Sequence, residues 1–594
     1  MKSTYALIIL LLLSLFAVDA NAQRRKAKPK KAKKTVVKKK KVPVKKSKKT
    51  NDNKANKVAN GEGLAVTYAV ANPNSTDTTA TRTVIITSAF KPSLQNAAKI
   101  NFTAASNVVD SSRLPLTYKV PSSNLFFLYQ PIPLKPLALP TDSPAVWKNT
   151  HRVKAGAGNL NSFMGEGRFS FGDGKHAITQ IQTGFITAKG KQYAQQFSKF
   201  DLDVMSIINT NNQLEWTSQA QFNSTTRYRY GFLPATLNLP KDQLQLVYNT
   251  LSLEIGMKNK QPTAAGILFH PILQFNRFTN TNNAGENNLI IQAPIQKSFG
   301  KMFGLVIAAN ADVAAYNAQG FKISNNLFSI DPSLLFNTPN VKLNLGIKPS
   351  WNNAAFNLLP NFTLSSRIPN ANFSVEAGFK GSFVKNSFRS LAQFNPWIGL
   401  PNDIRNTRVI EQYIGLSGST SNHFSFNTKL ALMQVQDQPL FVNQLGDGKA
   451  FDILYSNMNQ LRVSGELNYA FQEKLSFLAS ASYSHFSKLT AATDAFGLIP
   501  LETTAGLIWK PIGDLQVKGD LFYRSGPLYR DAFSLAAKRL SPAVDLNLGF
   551  EFGILPKLNL WLQMNNLLNN TYQRWNQYPV FGFNVMGGVV YSFQ

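Results

Sequence analysis

The sequence contains no cysteine among its 594 residues. Disulfide bonds are therefore excluded, and so is the attachment of a lipid through a cysteine at the mature N-terminus. Long apolar runs are missing as well, because no segment after residue 18 offers the roughly 18 to 20 consecutive apolar residues that a membrane-spanning helix needs. The two absences exclude an α-helical membrane protein and leave the fold itself as the predicted anchor.

Acidic residues are scarce, with 31 Asp and Glu against 63 Lys and Arg. Much of the excess lies in residues 24–57, which hold 18 basic residues and a single acidic one, Asp52. Such a Lys-rich segment cannot bury enough apolar surface to fold, so the sequence predicts a disordered basic tail. We expect either an electrostatic contact with an anionic cell-wall polymer or a solvated spacer without a dedicated partner.

The N-terminus has the pattern of a secretion signal. Lys2 precedes the apolar residues 6–18, and Ala20-Asn21-Ala22 supplies the small side chains that a signal peptidase recognises, which predicts cleavage before Gln23. Because the basic tail follows this signal, nucleic acid is not an expected partner. The predicted division of the chain is 1–22 signal peptide, 23–60 disordered periplasmic tail, 61–150 Pro-rich segment and 151–594 β-barrel.

The Pro-rich segment has an unusual composition. Seven prolines between residues 115 and 144 leave little room for regular structure. Residues 125–129 read Leu-Phe-Phe-Leu-Tyr and are too apolar for a free linker. We predict that residues 61–150 dock on another surface, either inside the barrel lumen or in the periplasm.

From about residue 152 the chain alternates apolar and polar residues with a period of two, which predicts strands with two different faces. Residues 543–554 show this most clearly, and 514–524 and 461–469 repeat it. In 514–524 the pattern predicts that Leu521 faces lipid and Asp520 faces the lumen. The apolar positions of the first stretch are Val544, Leu546, Leu548, Phe550, Phe552 and Ile554.

A soluble β-sandwich also alternates in this way, so the lengths of the connections decide between the two folds. Long connections at 489–501, 526–541 and 567–581 alternate with short turns. The predicted turns are 173–175, 210–212, 258–263, 299–301, 338–340, 367–371, 420–422, 472–474, 511–513 and 554–557. Short periplasmic turns and long external loops are typical of outer-membrane barrels whose termini are periplasmic. The sequence thus predicts an all-β, transmembrane antiparallel β-barrel of about 22 strands, any even number from 16 upward being compatible.

The last strand resembles a terminal strand that the barrel-assembly machinery recognises. One face of it carries Phe583, Val585, Val589, Tyr591 and Phe593, with Gly587 between them. We predict Gly587, Tyr591 and Phe593 as the assembly signal, the alternative being an ordinary edge strand. A second prediction places four aromatic residues in interfacial girdles, namely Tyr572, Trp575, Tyr578 and Tyr591.

The stretch 562–593, with Asn565-Asn566-Leu567-Leu568-Asn569, Tyr572, Trp575, Tyr578-Pro579 and Val589-Val590-Tyr591-Ser592-Phe593, resembles the C-terminal end of TonB-dependent receptor barrels. The resemblance covers roughly 152–594. It implies a 22-strand barrel in the cell outer membrane that transports solutes. Residues 59–151 contain neither a TonB box nor the sequence typical of a plug domain, so the resemblance leaves energy coupling and TonB as a partner unassigned.

The sequence shows few residues suited to catalysis or cofactor binding. Its five histidines lack the spacing of metal ligands, although a Ser-His-Asp set assembled from distant positions stays open. They are His151, His176, His270, His423 and His485. Gly446-Asp447-Gly448 and Asp173-Gly174 are interpreted as loop turns and not as phosphate-binding loops. We predict no catalytic, cofactor or metal residue, and no enzyme.

Two functions follow as expectations. The first is a transporter or channel that moves solutes across the outer membrane. The second is a structural or scaffolding barrel in a larger outer-membrane complex. A transporter should gather polar and aromatic side chains around one axial site, whereas a scaffold should expose apolar side chains on a loop or rim.

Overall fold

The structure is a computed structural model that describes residues 149–210, 213–368, 371–420 and 423–594. The predicted cleavage site at Ala20, Ala22 and Gln23, the basic tail and nearly all of the Pro-rich segment lie outside these residues. Among the described residues, no helix is long and apolar enough to cross a membrane.

The described residues form a ring of 22 antiparallel strands and two short helices. Strands β1 to β22 are His151–Gly158, Ser162–Gly172, Ala177–Lys189, Gln196–Asn209, Leu214–Tyr228, Gln245–Asn259, Ile267–Phe269 with Ile272–Asn280, Gly285–Phe299, Phe303–Ala318, Phe321–Asn337, Val341–Asn352, Ala355–Arg367, Phe373–Val384, Thr407–Ser419, Phe424–Asn443, Phe451–Phe471, Leu475–Ser487, Leu501–Ile512, Leu515–Arg524, Ala543–Leu555, Leu558–Asn565 and Asn584–Phe593. Helix α1, Lys241–Leu244, follows β5, and helix α2, Phe388–Phe394, follows β13. Two small hairpins lie in loops, Leu528–Arg530 with Ala537–Arg539 and Gln573–Trp575 with Tyr578–Pro579.

The ring closes between its first and last strands. β1 pairs with β22 in a register that runs from His151 opposite Phe593 to Gly158 opposite Met586. Closure pairs every strand on both sides, which removes the unpaired edges that a bilayer does not tolerate. The predicted antiparallel β-barrel is confirmed, including its count of 22 strands.

A tryptophan crosses this closing seam on the inside. Trp561 lies opposite Gly588, which in turn lies opposite Gly156 on β1. The indole extends over Gly156 and its Nε1 donates to the carbonyl oxygen of Ala155 at 3.2 Å. A Cβ at Gly156 would meet Cζ2 of Trp561 at 2.3 Å, and a Cβ at Gly588 would meet the carbonyl oxygen of Ala155 at 1.9 Å. The seam therefore packs because neither position carries a side chain.

The two ends of the barrel differ. At one end, here called the turn end, ten short connections join the strands, and each predicted turn coincides with one of them within three residues. Both barrel termini lie at this end. At the opposite end, the loop end, five connections are long: residues 229–244, 385–406, 488–500, 525–542 and 566–583.

Several loop-end connections in the first half of the barrel are shorter than expected. Residues 319–320 and 353–354 are two-residue hairpins, in which Gln319, Gly320, Asn353 and Ala354 all have positive φ. Positive φ at both central residues matches the twist of the flanking strands in such hairpins. The chain there extends as paired strand and not as loop.

The two faces of the wall follow the predicted alternation. Leu521 is 44% exposed and lies opposite Leu546, whereas its neighbour Asp520 lies opposite Asn547 on the inner face. The predicted orientation of this pair is confirmed. Outward apolar side chains are exposed around the ring, among them Phe185, Phe222, Leu253, Ile291, Ile330, Leu345, Phe379, Leu430 and Val463.

The inner wall carries rows of polar side chains. Across β6 to β9, Ser252 Oγ donates to Asn276 Oδ1 at 2.7 Å, and Asn276 Nδ2 donates to Asn288 Oδ1 at 3.2 Å. Asn288 Nδ2 continues the row to Asp312 Oδ1 at 2.6 Å. Cross-strand pairs of this kind stabilise a sheet and leave a hydrophilic surface.

Candidate functional site

Three long loops meet over the loop end, and we call them together the cap. They are residues 229–244, 385–406 and 566–583, which connect β5 to β6, β13 to β14 and β21 to β22. Their roots lie eight, eight and six strands apart around the ring of 22. Loops rooted so far apart can touch only by extending over the mouth of the barrel.

An aromatic core joins the three loops. The rings of Trp397 and Tyr578 stack with centroids 3.9 Å apart, and Tyr230 lies 5.0 Å from Tyr578 and 6.1 Å from Trp397. Trp397 is fully buried and Tyr578 is 1% exposed. Aromatic pairs at these separations are favourable beyond the area they bury.

This core corrects the prediction of interfacial girdles. Tyr572, Trp575 and Tyr578 are 2%, 3% and 1% exposed, so they lie inside the cap and not at a membrane surface. The prediction was wrong because the loop that carries them folds back over the mouth. Tyr591 is 47% exposed on the outer wall, as a girdle residue would be.

The hydroxyls of Tyr230 and Tyr578, and that of Tyr248 on β6, donate to backbone carbonyl oxygens of the loops. Tyr248 OH donates to the carbonyl oxygen of Pro396 at 2.8 Å, and Tyr230 OH donates to that of Pro579 at 2.9 Å. Tyr578 OH donates to the carbonyl oxygen of Lys449. Burial raises the pKa of Tyr578 well above its usual range, so its hydroxyl stays protonated as a donor.

Helix α2 fastens the second cap loop to the inner wall. Ser387 caps the helix, because its Oγ accepts from the backbone N–H of Ser390 at 3.1 Å while its own N–H donates to Ser390 Oγ at 2.8 Å. Glu286 Oε2 accepts from the N–H of Phe388 at 2.6 Å. Arg389 Nη1 donates to Asn276 Oδ1 at 2.8 Å. The helix therefore begins against the polar row of β6 to β9.

The ends of the same loop are held by amides. Asn325 and Asn406 bond reciprocally through their side chains at 2.9 and 2.7 Å. Asn386 Nδ2 donates to Thr407 Oγ1 at 2.9 Å, and Lys385 Nζ lies 3.4 Å from Asp312 Oδ1. Buried polar groups that are satisfied in this way fix one conformation, so the loop is held over the mouth.

A charged patch lies on the inner wall near the turn end. Arg152 Nη2 contacts both carboxylate oxygens of Glu551 at 2.9 Å, across the closing seam. Lys154 Nζ lies 4.0 Å from the ring centroid of Trp561. A hydrogen bond between a guanidinium and a carboxylate is strengthened by the two charges, and this one ties β1 to β20.

The five histidines lie apart. His151 begins β1, His176 lies in a turn with its Nδ1 2.7 Å from Asp173 Oδ2, and His270 lies in the break of β7. His423 lies in another turn and His485 in β17. Within the described ranges, no group of three His, Asp or Glu side chains is placed to hold a metal.

Both predicted loop turns are confirmed. Gly446-Asp447-Gly448 lies in the connection from β15 to β16, where the backbone N–H of Leu233 donates to the carbonyl oxygen of Asp447 at 3.0 Å. Asp173 Oδ1 accepts from the N–H of His176 and of Ala177 at 2.7 and 3.0 Å, which closes the turn between β2 and β3.

The predicted assembly-signal residues share the last strand. Tyr591 faces outward, and Phe593 lies with its ring 5.6 Å from that of Tyr591 and 5.0 Å from that of His151. A Cβ at Gly587 would meet only ordinary contacts, the nearest being 3.4 Å from the carbonyl oxygen of Trp561. Recognition of these residues by the assembly machinery stays a prediction.

Comparison with solved structures identifies similar barrels. The FrpB iron transporter from Neisseria meningitidis matches with a TM-score of 0.58 at 11% identity, over 75% of this chain and 82% of that one. The siderophore receptor PiuA from Acinetobacter baumannii matches with a TM-score of 0.57 at 12% identity, over 75% and 82%. The copper transporter OprC gives a TM-score of 0.56 at 11% identity, over 75% and 80%. The predicted resemblance to TonB-dependent receptor barrels is confirmed at the level of the fold.

No protein-family model and no curated protein matches the sequence.

Proposed function

We propose that this chain moves solutes across the outer membrane through its barrel, and that the cap controls the passage. The observation that carries this proposal is the contact of three widely separated loops across the mouth. The polar rows on the inner wall support it, since such a wall suits hydrated solutes. The similar structures include an iron transporter, a siderophore receptor and a copper transporter, which favours transport without naming this chain's solute.

The apolar outer wall supports membrane lipid as the immediate partner and the outer membrane as the location. By analogy with barrels of this topology, the turn end and both barrel termini face the periplasm. The barrel-assembly machinery is the proposed partner of Gly587, Tyr591 and Phe593. The basic tail, residues 23–60, would then reach an anionic cell-wall polymer, and residues 61–150 would occupy or gate the lumen from the turn end. TonB is not assigned as a partner.

A scaffolding role is the second candidate, and exposed apolar loop residues favour it. Leu445 is 65% exposed, Phe533 64% and Leu568 53%, all at the loop end. They belong to three different loops of this end, and large apolar side chains exposed in such loops are candidates for contact with another protein. A scaffold needs this surface but no passage.

Conductance of the purified full-length chain in a planar bilayer separates the two candidates. Replacing Trp397 and Tyr578 together by Ala removes the stacked pair of the cap, and we expect larger and more frequent conductance steps than for the native chain. Trp509→Ala is the matched control, because Trp509 is 46% exposed on the outer wall and away from the cap. If the double variant folds but conducts no more than the native chain, and does not conduct more after residues 61–150 are also deleted, the scaffold is the better function.

A further inference from the structure

Gln412 is a polar side chain on an apolar part of the outer wall. It is the sixth of the 13 residues of β14 and is exposed. The next residue, Tyr413, is 6% exposed and faces inward, where its OH donates to Glu376 Oε1 at 3.1 Å. Successive side chains of a strand point to opposite faces, so Gln412 points outward from near the middle of the wall.

The neighbours of Gln412 on this face are apolar. Ile410 and Ile414 flank it along β14, and Phe379 and Leu432 lie opposite it on β13 and β15. Within the part of the chain that the structure describes, its amide forms no hydrogen bond. An amide among lipid tails without a partner is unfavourable, because no water replaces the missing hydrogen bonds. We therefore expect a partner that brings a donor and an acceptor.

A groove of about 430 Å³ lies beside Gln412, and most of its lining is apolar. The row of side chains that crosses it contains a small residue, Ala377 on β13, between Leu364 on β12 and Ile414 on β14. Leu364 and Ile414 are 42% and 53% exposed, so they stand above the methyl group of Ala377. We call the space over Ala377 the hollow.

The wall protrudes on the other side of β14. Leu430 and Leu432 on β15 are 45% and 56% exposed and lie opposite Ile414 and Gln412. They are one strand away from β14, as Ala377 is on the opposite side. The hollow and this pair of leucines, here called the ridge, thus lie at similar distances from β14, since neighbouring strands are evenly spaced.

The hollow and the ridge make this surface complementary to itself. A two-fold axis along the bilayer normal beside Gln412 exchanges the two sides of β14 between the copies. It therefore places the ridge of each copy against the hollow of the other and brings the two Gln412 amides together. An amide carries both donors and an acceptor, so two amides can bond reciprocally. A lipid acyl chain fills a hollow as well, but it offers no group to the amide.

We propose that a second copy of this chain covers the outer face of β13 to β15, so that the barrel forms a homodimer in the membrane with Gln412 at its two-fold axis. Symmetric dimers that use the same patch on both subunits are the commonest oligomers. Close packing at small residues and hydrogen bonds between polar side chains favour association within a membrane. This inference goes beyond the proposed function and rests only on the proposed membrane location.

Cross-linking of the full-length chain in phospholipid vesicles tests the interface. The sequence contains no cysteine, so Gln412→Cys introduces a single thiol. The two thiols of a dimer would face each other at the axis, and we expect oxidation to convert most of the chain into a covalent dimer. Leu253→Cys is the matched control, because Leu253 is 43% exposed on the outer face of β6. It should form little dimer at the same ratio of protein to lipid.

The hollow and the amide are tested by separate substitutions. Ala377→Leu fills the hollow and should slow the cross-linking of Gln412→Cys. Ala309→Leu makes the same change at an exposed alanine on the outer face of β9 and should not slow it. Gln412→Leu in the cysteine-free chain removes the reciprocal hydrogen bonds. It should raise the dissociation constant of the dimer roughly tenfold, measured by sedimentation equilibrium in density-matched micelles.

The inference is overturned if Gln412→Cys forms no more dimer than Leu253→Cys, or if Ala377→Leu slows cross-linking no more than Ala309→Leu does. A chain that inserts into vesicles and stays monomeric also overturns it, and lipid acyl chains would then occupy the hollow. A folded chain that does not insert into vesicles shows instead that the proposed membrane location is wrong. None of these measurements depends on solute passage, so transport is tested independently.

Discussion

Leu521 and Asp520 are neighbours on β19 that face opposite sides of the wall. Because Leu521 contacts lipid in the proposed location, Leu521→Arg should lower the free energy of unfolding by about 2 to 4 kcal/mol near the bilayer midplane. Asp520→Asn removes a charge from the inner face and should cost far less. Urea unfolding in phospholipid vesicles measures both variants. Equal losses for the two would show that the assigned faces are wrong.

Single residues also show where sequence reasoning stops. The faces of Leu521 and Asp520 follow from local alternation, since successive side chains of a strand point to opposite sides. Tyr578 gave no such local signal, because an aromatic ring with a hydroxyl suits a membrane interface and a buried loop core equally well. Only its contact with Trp397, which is 181 positions away in sequence, decides between the two.

At the scale of elements, the seam between β22 and β1 gives a sharp prediction. Gly156→Ala places a Cβ 2.3 Å from Cζ2 of Trp561 and 2.6 Å from the carbonyl oxygen of Gly587. Overpacking of this kind costs typically about 1 to 3 kcal/mol, and here it acts on the contact that closes the ring. In gel electrophoresis after heating, we expect the folded band of Gly156→Ala to disappear at a lower temperature than that of the native chain.

The control for this seam variant is Gly165→Ala on the neighbouring strand β2. A Cβ at Gly165 meets nothing within 4 Å, so that change should leave the transition temperature unaltered. If Gly156→Ala and Gly165→Ala lower the transition temperature equally, the cause is the loss of any strand glycine and not the contact of Trp561 with the seam.

The elements that depend only on the neighbouring sequence, such as the turns, could be predicted. The ten turns coincide with the prediction because period-two alternation breaks where the chain reverses, and short turns carry residues suited to them. The loop-end hairpins at 319–320 and 353–354 differ from the expected long loops, since nothing in their local sequence separates a long loop from a continued strand. Helix α2 was missed for a related reason, as its apolar residues contact other loops and its seven residues show no full helical period.

At the scale of the whole molecule, the cap depends on which strands become neighbours around the ring. The sequence predicts the order of the strands, but the meeting of loops rooted eight and six strands apart requires the closed ring with its diameter and tilt. The contact of Trp397 with Tyr578 and Tyr230 arises only from that meeting, so no motif in the sequence marks it. The sequence contains no cysteine. Two introduced cysteines can therefore pair only with each other within the chain, which allows a disulfide to test the cap.

The test is a disulfide across the mouth. The N–H of Leu233 donates to the carbonyl oxygen of Asp447 at 3.0 Å, and the loops that carry them are rooted at β5 and β15, ten strands apart. Backbones this close meet the Cα separation of about 4.4 to 6.8 Å that a disulfide needs. Oxidised Leu233→Cys/Asp447→Cys should therefore lock the cap and stop solute passage into vesicles, and a reductant should restore it.

Two controls separate locking of the cap from the substitutions themselves. Each single cysteine variant should pass solutes whether oxidised or reduced, because no partner thiol exists in the chain. Asn317→Cys with Lys322→Cys joins ladder partners within one hairpin of β9 and β10, so its disulfide leaves the mouth free. If passage continues through the oxidised Leu233→Cys/Asp447→Cys chain with its disulfide formed, solutes do not pass through the cap. The proposed control of passage by the cap would then be wrong, while transport through the barrel would stand.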